Sequence, residues 1–204
     1  MNSLNNKIER HPLVPFLPEN AVLLMLGSFP PQKKRWSMDF FYPNIQNDMW
    51  RIFGYIFFKD VNHFLNDDRK SFNKERIIEF LTQEGIALSD TAQEVIRQKE
   101  NASDKFLKIV TPVDLESLLK KIPQCRAIAV TGQKAMDTIL QLIDASEPAM
   151  GGYSEFIFAN QKMRLYRMPS SSRAYPKPLK EKASFYQTML KETLIFKEDT
   201  QSDA

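Results

Sequence analysis

Five apolar residues in a row, Val22-Leu23-Leu24-Met25-Leu26, run into Gly27-Ser28-Phe29-Pro30-Pro31. The run has no polar alternation, so a strand made of it must be covered on both faces. The Gly/Pro segment then turns the chain at the strand's end. An aromatic stretch follows, Phe40-Phe41-Tyr42-Pro43-Asn44-Ile45-Gln46-Asn47-Asp48-Met49-Trp50. Strand, turn, aromatic cluster and amide are the parts of a pocket for a flat polar ring.

Residues 1–20 form a polar, proline-containing lead-in. Residues 47–58 suit a helix with Trp50, Phe53 and Phe57 on one face. Asn73 is placed to cap a helix ending at Glu84, with Ile77, Ile78 and Leu81 as its apolar stripe and Gly85 at the stop. Residues 86–88 make a second strand. The polar stretch 91–104 suggests a helical turn over 94–98 followed by a loop. Thr111-Pro112-Val113-Asp114 has the composition of a helix start, with Thr111 as cap, and that helix runs to about Lys121. Residues 127–130 make a third strand and 132–143 a helix. Strands over 156–158 and 163–167 meet near Asn160-Gln161. A loop over 168–178 carries three prolines and three serines, a last amphipathic helix covers 179–196, and the final residues are expected to fray.

Strands alternating with helices imply a parallel sheet with helices on both faces. In such folds ligands sit beyond the strands' C-terminal ends. The segments 27–31 and 168–173 are expected to share that edge.

The 204 residues suffice for one domain with a full core, so a single domain over 1–204 is expected, its core at about 20–190. One cysteine, Cys125, cannot form an internal disulfide or hold a cysteine-based metal cluster. His11 and His63 lack metal-ligand spacing and suit ordinary surface or loop positions. The start, Met1-Asn2-Ser3-Leu4-Asn5-Asn6, has no signal-peptide pattern, and residues 21–26 are too few to cross a bilayer. The expected location is the cytoplasm.

The net charge of +3 is too small to prove a nucleic-acid partner. Its distribution is more informative. Residues 167–182 hold five positive groups (Arg167, Arg173, Lys177, Lys180, Lys182) and one negative, Glu181. Lys33, Lys34 and Arg35 form a second cluster after the Gly/Pro turn. Charge runs are often solvated faces, but both clusters flank the pocket segments, which favours a phosphate-facing role.

The Gly/Pro turn is no phosphate loop, because Gly-Lys-Ser/Thr is absent and prolines remove amides. It lacks the further glycines of a dinucleotide fingerprint and the Gly-x-Ser-x-Gly frame of a nucleophile elbow. An aromatic face stacks on a base, and an Asn amide offers donor and acceptor side by side. Such an amide matches a base edge with a carbonyl next to an N–H, as in uracil, thymine and hypoxanthine. The same residues also suit core packing (Phe40, Phe41, Tyr42) and a helix cap (Asn47).

Gly27-Ser28-Phe29-Pro30, then Phe41-Tyr42, then Asn44-Ile45-Gln46-Asn47 and Met49-Trp50, then Met168-Pro169-Ser170-Ser171-Ser172-Arg173 follow one another in a recognisable order. Between them lie Gly85-Ile86-Ala87-Leu88-Ser89-Asp90, Ala102-Ser103-Asp104 and Thr131-Gly132-Gln133-Lys134-Ala135. Over roughly residues 20–190 the chain resembles the uracil-DNA glycosylase superfamily, most closely its hypoxanthine-DNA glycosylase and mismatch-specific branches. The resemblance implies a three-layer α/β/α sandwich around a mostly parallel sheet of about four strands. It implies a base-excision repair hydrolase acting on DNA with a deaminated base, hypoxanthine or uracil, by base flipping and N-glycosidic hydrolysis. It implies no metal and no cofactor, and an association with the nucleoid when acting on DNA; no membrane is expected, and a monomer is the default. By motif match Tyr42 would stack on the base, Asn47 would hydrogen-bond it as the catalytic amide, and Gly27, Ser28, Phe29 and Pro30 would line the pocket. Ser170, Ser171 and Ser172 would grip phosphates, Arg173 would lie near the intercalating position, and Lys33 and Lys34 would face DNA.

Three positions depart from the family. Phe29 stands where many members carry Asp or Asn to orient water, as it does in the hypoxanthine branch. Met168 stands where many carry His or Asn, and Asn44-Ile45 replaces His-Pro. No carboxylate is then expected beside the water, which points to a dissociative route. The alternative is a catalytically weak or inactive nucleobase-binding protein on the same fold.

Overall fold

The computed structural model describes residues 7–98 and 106–199, with side chains described to residue 193. The Ala102-Ser103-Asp104 match and the fraying expected of the last residues fall wholly or partly outside this range.

The apolar run of the sequence forms β2 (Leu23–Gly27), buried along its whole length. It pairs in parallel with β3 (Ile86–Asp90) on one side and β6 (Ala127–Thr131) on the other. Strand β8 (Gln161–Met168) adds in parallel to β6, and β7 (Tyr153–Phe158) closes that edge antiparallel to β8. The order β3-β2-β6-β8-β7 is thus a mostly parallel sheet with four parallel strands.

Alternate side chains leave a strand on opposite faces, and β2 shows the result. Leu23 and Met25 point into one core with Trp50, Ile77, Phe80 and Tyr186, under α1 (Met49–Phe53), α2 (Lys74–Glu84) and α5 (Leu179–Asp199). Leu24 and Leu26 point into the other with Leu118, Ile122 and Met136, under α3 (Leu115–Lys121) and α4 (Gln133–Ile139). Helices on both faces give the expected three layers.

Several local expectations need correction. The stretch 91–104 holds no helical turn among its described residues; β4 (Ala92–Arg97) lies there instead. It pairs antiparallel with β1 (Ile8–Arg10) and β5 (Leu107–Pro112) in a separate three-stranded sheet. Val95 at 0% exposure, with Ala92, Leu107 and Phe29, forms its small core. Polar residues on the outer face hid this strand. Thr111 and Pro112 end β5, and the cap of α3 is Asp114, whose carboxylate accepts from the Ser117 N–H at 3.0 Å. The helix expected over 47–58 is α1 continued by a π-helical turn (Gly54–Phe58).

Helix α2 has the expected ends. Asn73 Oδ1 accepts from the Arg76 N–H at 2.9 Å. Gly85 closes it in the left-handed conformation (φ +66°), where a methyl group would lie 2.6 Å from the Asn20 carbonyl oxygen. Gly85→Ala should therefore lower stability by more than about 1 kcal/mol, since both strain and clash oppose it. Asn73→Ala should cost about 1 kcal/mol through the lost cap. Urea unfolding of the two variants gives both values.

Candidate nucleic-acid site

The register fixes where the site lies. Gly27 is opposite Asp90, and Thr131 is opposite Met168. Four parallel strands therefore end along one edge, and the segments 28–31 and 169–173 both leave from it, with β6 between their strands.

The aromatic stretch folds over that edge. Trp50, 1% exposed, donates its Nε1–H to the Phe41 carbonyl at 3.2 Å and meets the Tyr42 ring edge-on at 5.9 Å. Tyr42 is bent into the left-handed region (φ 51°). A non-glycine residue held there is uncommon, and such conformations concentrate at functional sites. The bend lays its hydroxyl 3.3 Å from Thr131 Oγ1. A methyl group on Gly27 would sit 3.6 Å from that hydroxyl. Tyr42 thus spans the ends of β2 and β6.

Asn47 lies just before α1, whose N-cap position is Asp48. The Asn47 Oδ1 accepts from the Met49 N–H at 2.9 Å, a turn-type contact on the lead-in to the helix rather than the N-cap itself. Arg51 holds the approach by donating to the carbonyls of Ile45 (2.7 Å) and Asn47 (3.2 Å). Asn47 also bridges Ser172 in antiparallel fashion, and the Asp48 N–H donates to the Ser171 carbonyl at 2.9 Å. The segment around Asn47 and the serine loop are therefore neighbours.

Beneath them lies a buried ionic knot. Asp48 accepts from Arg173 Nε at 2.9 Å and from Lys182 Nζ at 3.3 Å. Lys182 comes from α5, its side chain 1% exposed, and also donates to the Ser172 carbonyl at 2.7 Å. Tyr186 donates to the Pro169 carbonyl at 2.7 Å, and burial raises its phenol pKa well above the usual value. The loop is thus tied down at both ends.

This knot changes the reading of the basic run. Lys182 is buried and cannot face phosphates. Arg173, half-exposed, is paired with Asp48, Arg167 with Glu147 at 3.0 Å, and Lys177 with Glu181. Lys180 is exposed. Four of the segment's five positive groups thus have acidic partners. In the other cluster Lys33 pairs with Asp39 and stands 4.0 Å over the Trp36 ring, while Lys34 and Arg35 are exposed. Ser170 and Ser172 are half-buried and Ser171 is buried.

The Gly/Pro turn is engaged internally. The carbonyls of Gly27, Ser28 and Pro30 accept from Thr91 N (2.8 Å), Ala92 N (3.2 Å) and Arg97 (3.1 Å). Phe29 is 7% exposed and packs on the three-stranded sheet, and Met168 is fully buried. Neither position offers a polar group. Burial pushes the Cys125 thiol up to about 12, which removes it as a nucleophile at neutral pH.

Sequence reasoning missed His11 and Asp90. His11 is a loop residue, as expected, but its side chain is turned inward: its Nε2 lies 2.8 Å from Asp90 Oδ2 and its Nδ1 3.0 Å from the Leu13 carbonyl. Its ring meets Phe29 edge-on at 5.2 Å and stacks near Phe41 at 6.2 Å. Asp90 Oδ1 would be only 2.4 Å from a methyl group on Gly27, so the glycine makes room for this carboxylate. The sequence pointed to no carboxylate here; the structure brings one to the end of β2. The matched segment ending in Asp90 was the available signal, but nothing in the sequence joined it to a histidine 79 positions earlier. A cavity of about 450 Å³ opens beside the pair, lined also by Arg10, Glu94 and Thr111, but not by Tyr42 or Asn47. His63, by contrast, stacks on Phe58 at 3.6 Å in a half-buried loop position.

Burial alone would lower the His11 pKa. The Asp90 hydrogen bond, the Asp90 charge and the Leu13 carbonyl outweigh it, and the value is raised. A raised folded-state pKa stabilises fully below the unfolded value, about 6.5, and that stabilisation disappears as pH rises through the folded value. Thermal unfolding should show a loss of stability above about pH 6.5 that His11→Gln removes. In the ionic knot, Lys182→Met leaves Asp48 buried without its α5 partner and should cost about 3 kcal/mol in urea unfolding.

Among the described residues no helix is long and apolar enough to cross a membrane, and no group of three or more His, Cys, Asp or Glu could hold a metal ion. No protein-family model matches the chain, and no curated protein matches it either. Among solved structures, a solution NMR structure of a proposed uracil DNA glycosylase from Methanosarcina acetivorans is similar, with 21% identity and a TM-score of 0.61. The likeness covers 92% of this chain and 99% of that one. The chain thus shares, over nearly its whole length, the α/β/α fold of that uracil DNA glycosylase-like protein.

Proposed function

We propose that this chain is a DNA glycosylase that extrudes a deaminated base, hypoxanthine or uracil, and hydrolyses its N-glycosidic bond. The observation that carries the proposal is the strained Tyr42, bent over the sheet edge at Gly27 and Thr131, on the same segment as Asn47. A ring fixed there gives a flipped base a stacking face. The fold likeness to a proposed uracil DNA glycosylase supports the same reading.

Asn47 fits the catalytic part because its orientation is set. With Oδ1 accepting from Met49, the Nδ2 group is the donor left to meet a base carbonyl. Bond cleavage leaves negative charge on the base, and a donor fixed in place before the reaction stabilises it. Positive charge on the sugar is offset by the phosphates that the serine loop would grip, with Ser170, Ser172, Arg173, Lys33 and Lys34 at the DNA face. Phe29 and Met168 supply no polar group to water, which suits a dissociative route. The chain acts as a single-domain monomer in the cytoplasm, without metal or cofactor.

Those same two buried apolar residues favour a second reading, a base binder that releases nothing. A panel of labelled duplexes carrying one hypoxanthine, uracil or xanthine separates the two. The glycosylase converts at least one into an alkali-labile strand. Asn47→Ala should lower that rate by about a hundredfold. Asn47→Asp, which keeps the oxygen that accepts from Met49 and loses the N–H donor, should fall as far while unfolding like wild type. Salt-sensitive binding with no product at enzyme excess would establish the binder instead.

A further inference from the structure

Lys182 is fully buried on α5, so it is out of reach of any substrate. A buried ammonium loses its hydration, and an apolar side chain of similar size would serve stability as well or better. What a lysine adds is direction, since its three N–H groups can reach more than one segment at once. Here they reach two. Nζ donates to Asp48 Oδ2 at 3.3 Å and to the Ser172 carbonyl at 2.7 Å. Those acceptors stand on either side of one junction, because Asp48 follows Asn47 in the chain and Ser172 bridges Asn47 in antiparallel fashion. One turn further along α5, Tyr186 donates to the Pro169 carbonyl at 2.7 Å. Burial, with the Tyr42 phenol nearby, raises the Tyr186 pKa and keeps it a donor. One face of α5 therefore holds the serine loop at both ends and the neighbour of Asn47 as well.

We propose that Lys182 is a positioning residue for base release: through Asp48 and the Ser172 carbonyl it sets the placement of the Asn47 amide relative to the serine loop. The inference rests on the glycosylase reading and adds to it a residue that never meets DNA. The two parts it joins have separate tasks. The Asn47 amide has to meet the extruded base, while the serine loop has to hold phosphates beside the same nucleotide. The nucleotide itself fixes the distance between base and phosphate, so the two parts act together only at one spacing. A misplacement of about 1 Å in such an arrangement can lower a rate on the order of a hundredfold.

The neighbouring contacts hold one part each. Arg51 donates to the carbonyls of Ile45 and Asn47 and stands 5.2 Å from the centre of the Phe72 ring, all on the Asn47 side. The hydroxyls of Ser170 and Ser172 accept from the N–H groups of Ser172 (3.3 Å) and Ala174 (3.2 Å), all within the loop. The Asp48 N–H bond to the Ser171 carbonyl does cross the junction, but two segments joined by a lone backbone bridge can still hinge about it. Lys182 ties that bridge to the body of α5. Arg173 also crosses to Asp48, with a half-exposed side chain at the DNA face. Asp48 thus stands against several cations. Burial and then the Arg173 charge lower the Arg51 pKa, and Asp48 opposes them. Removing Asp48 alone would leave Arg51, Arg173 and Lys182 without their shared carboxylate, whereas removing Lys182 leaves Arg173 beside it. Lys182 is therefore the cleaner probe.

Single-turnover base release at saturating enzyme, from whichever of the hypoxanthine and uracil duplexes wild type cleaves, tests this alongside urea unfolding of the same variants. Lys182→Met should slow release about tenfold, while binding to an abasic duplex falls less than about threefold. In the Asn47→Ala background the same change should slow release less than about twofold, because the group it positions is gone. Its effect on the unfolding midpoint should be equal in both backgrounds. The paired variant, Asp48→Asn with Lys182→Met, buries no lone charge and should regain most of the midpoint, yet release base as slowly as Lys182→Met. That pair carries the comparison should Lys182→Met alone not fold. Equal rate losses with and without Asn47, or a rate that recovers with stability in the paired variant, would show a merely structural lysine. Either result would overturn the inference and leave the glycosylase reading intact. If wild type releases no base, the glycosylase reading fails by itself, and binding decides. Wild type should then prefer a hypoxanthine duplex over its adenine parent, and Lys182→Met should lose that preference as Asn47→Ala does. A preference that Lys182→Met keeps, or none in wild type, would overturn the inference too.

Discussion

Parallel pairing of β2 between β3 and β6 is the constraint on which everything functional depends. β2 is apolar on both faces, so it must lie inside the sheet with helices above and below. Parallel neighbours then end at one edge, and Gly27, Asp90, Thr131 and Met168 line up there. A one-residue slip would exchange the two faces of β2 and separate Gly27 from Asp90. The glycine at that position is needed because the Asp90 carboxylate occupies the space a side chain would fill. The register that completes both cores therefore also assembles the edge.

What could be read from the sequence follows from where each signal resides. The buried strands were visible because burial on both faces leaves an unbroken apolar run. Helix α2 was visible because Asn73 and Gly85 mark its ends by local chemistry. Strand β4 was not, because only Ala92, Val95 and Arg97 are buried and the polar Gln93 and Glu94 interrupt the apolar pattern. Thr111 and Asp114 both suit a cap, and only the pairing of β5 decides between them.

The site divides the same way. Tyr42, Asn47 and the serine loop each belong to contiguous motifs, so local sequence could suggest them; Tyr42 reaches Thr131 and Asn47 bridges Ser172. Charge was misleading, since a count along the chain cannot tell that Lys182 is buried against Asp48, far away in sequence. The His11–Asp90 pair was invisible for the same reason. His11 arrives on the lead-in to the three-stranded sheet, and that sheet itself was not apparent in the sequence. Long-range pairing of polar residues leaves no periodic trace.

The Asp48–Arg173–Lys182 knot has a consequence for how the protein would meet a rigid, regularly spaced polyanion. Disordered loops must give up conformational freedom when they dock. Here that ordering is completed during folding, because α5, the serine loop and the start of α1 are joined through a single carboxylate. The protein would present a stiff template of fixed spacing, and on the proposed function adjustment on contact would fall to the nucleic acid. A duplex that bends or opens easily at a weakened base pair meets such a template at lower cost than an intact one. Stiffness in the protein would thus translate into a preference for pliable DNA, before any base edge is read.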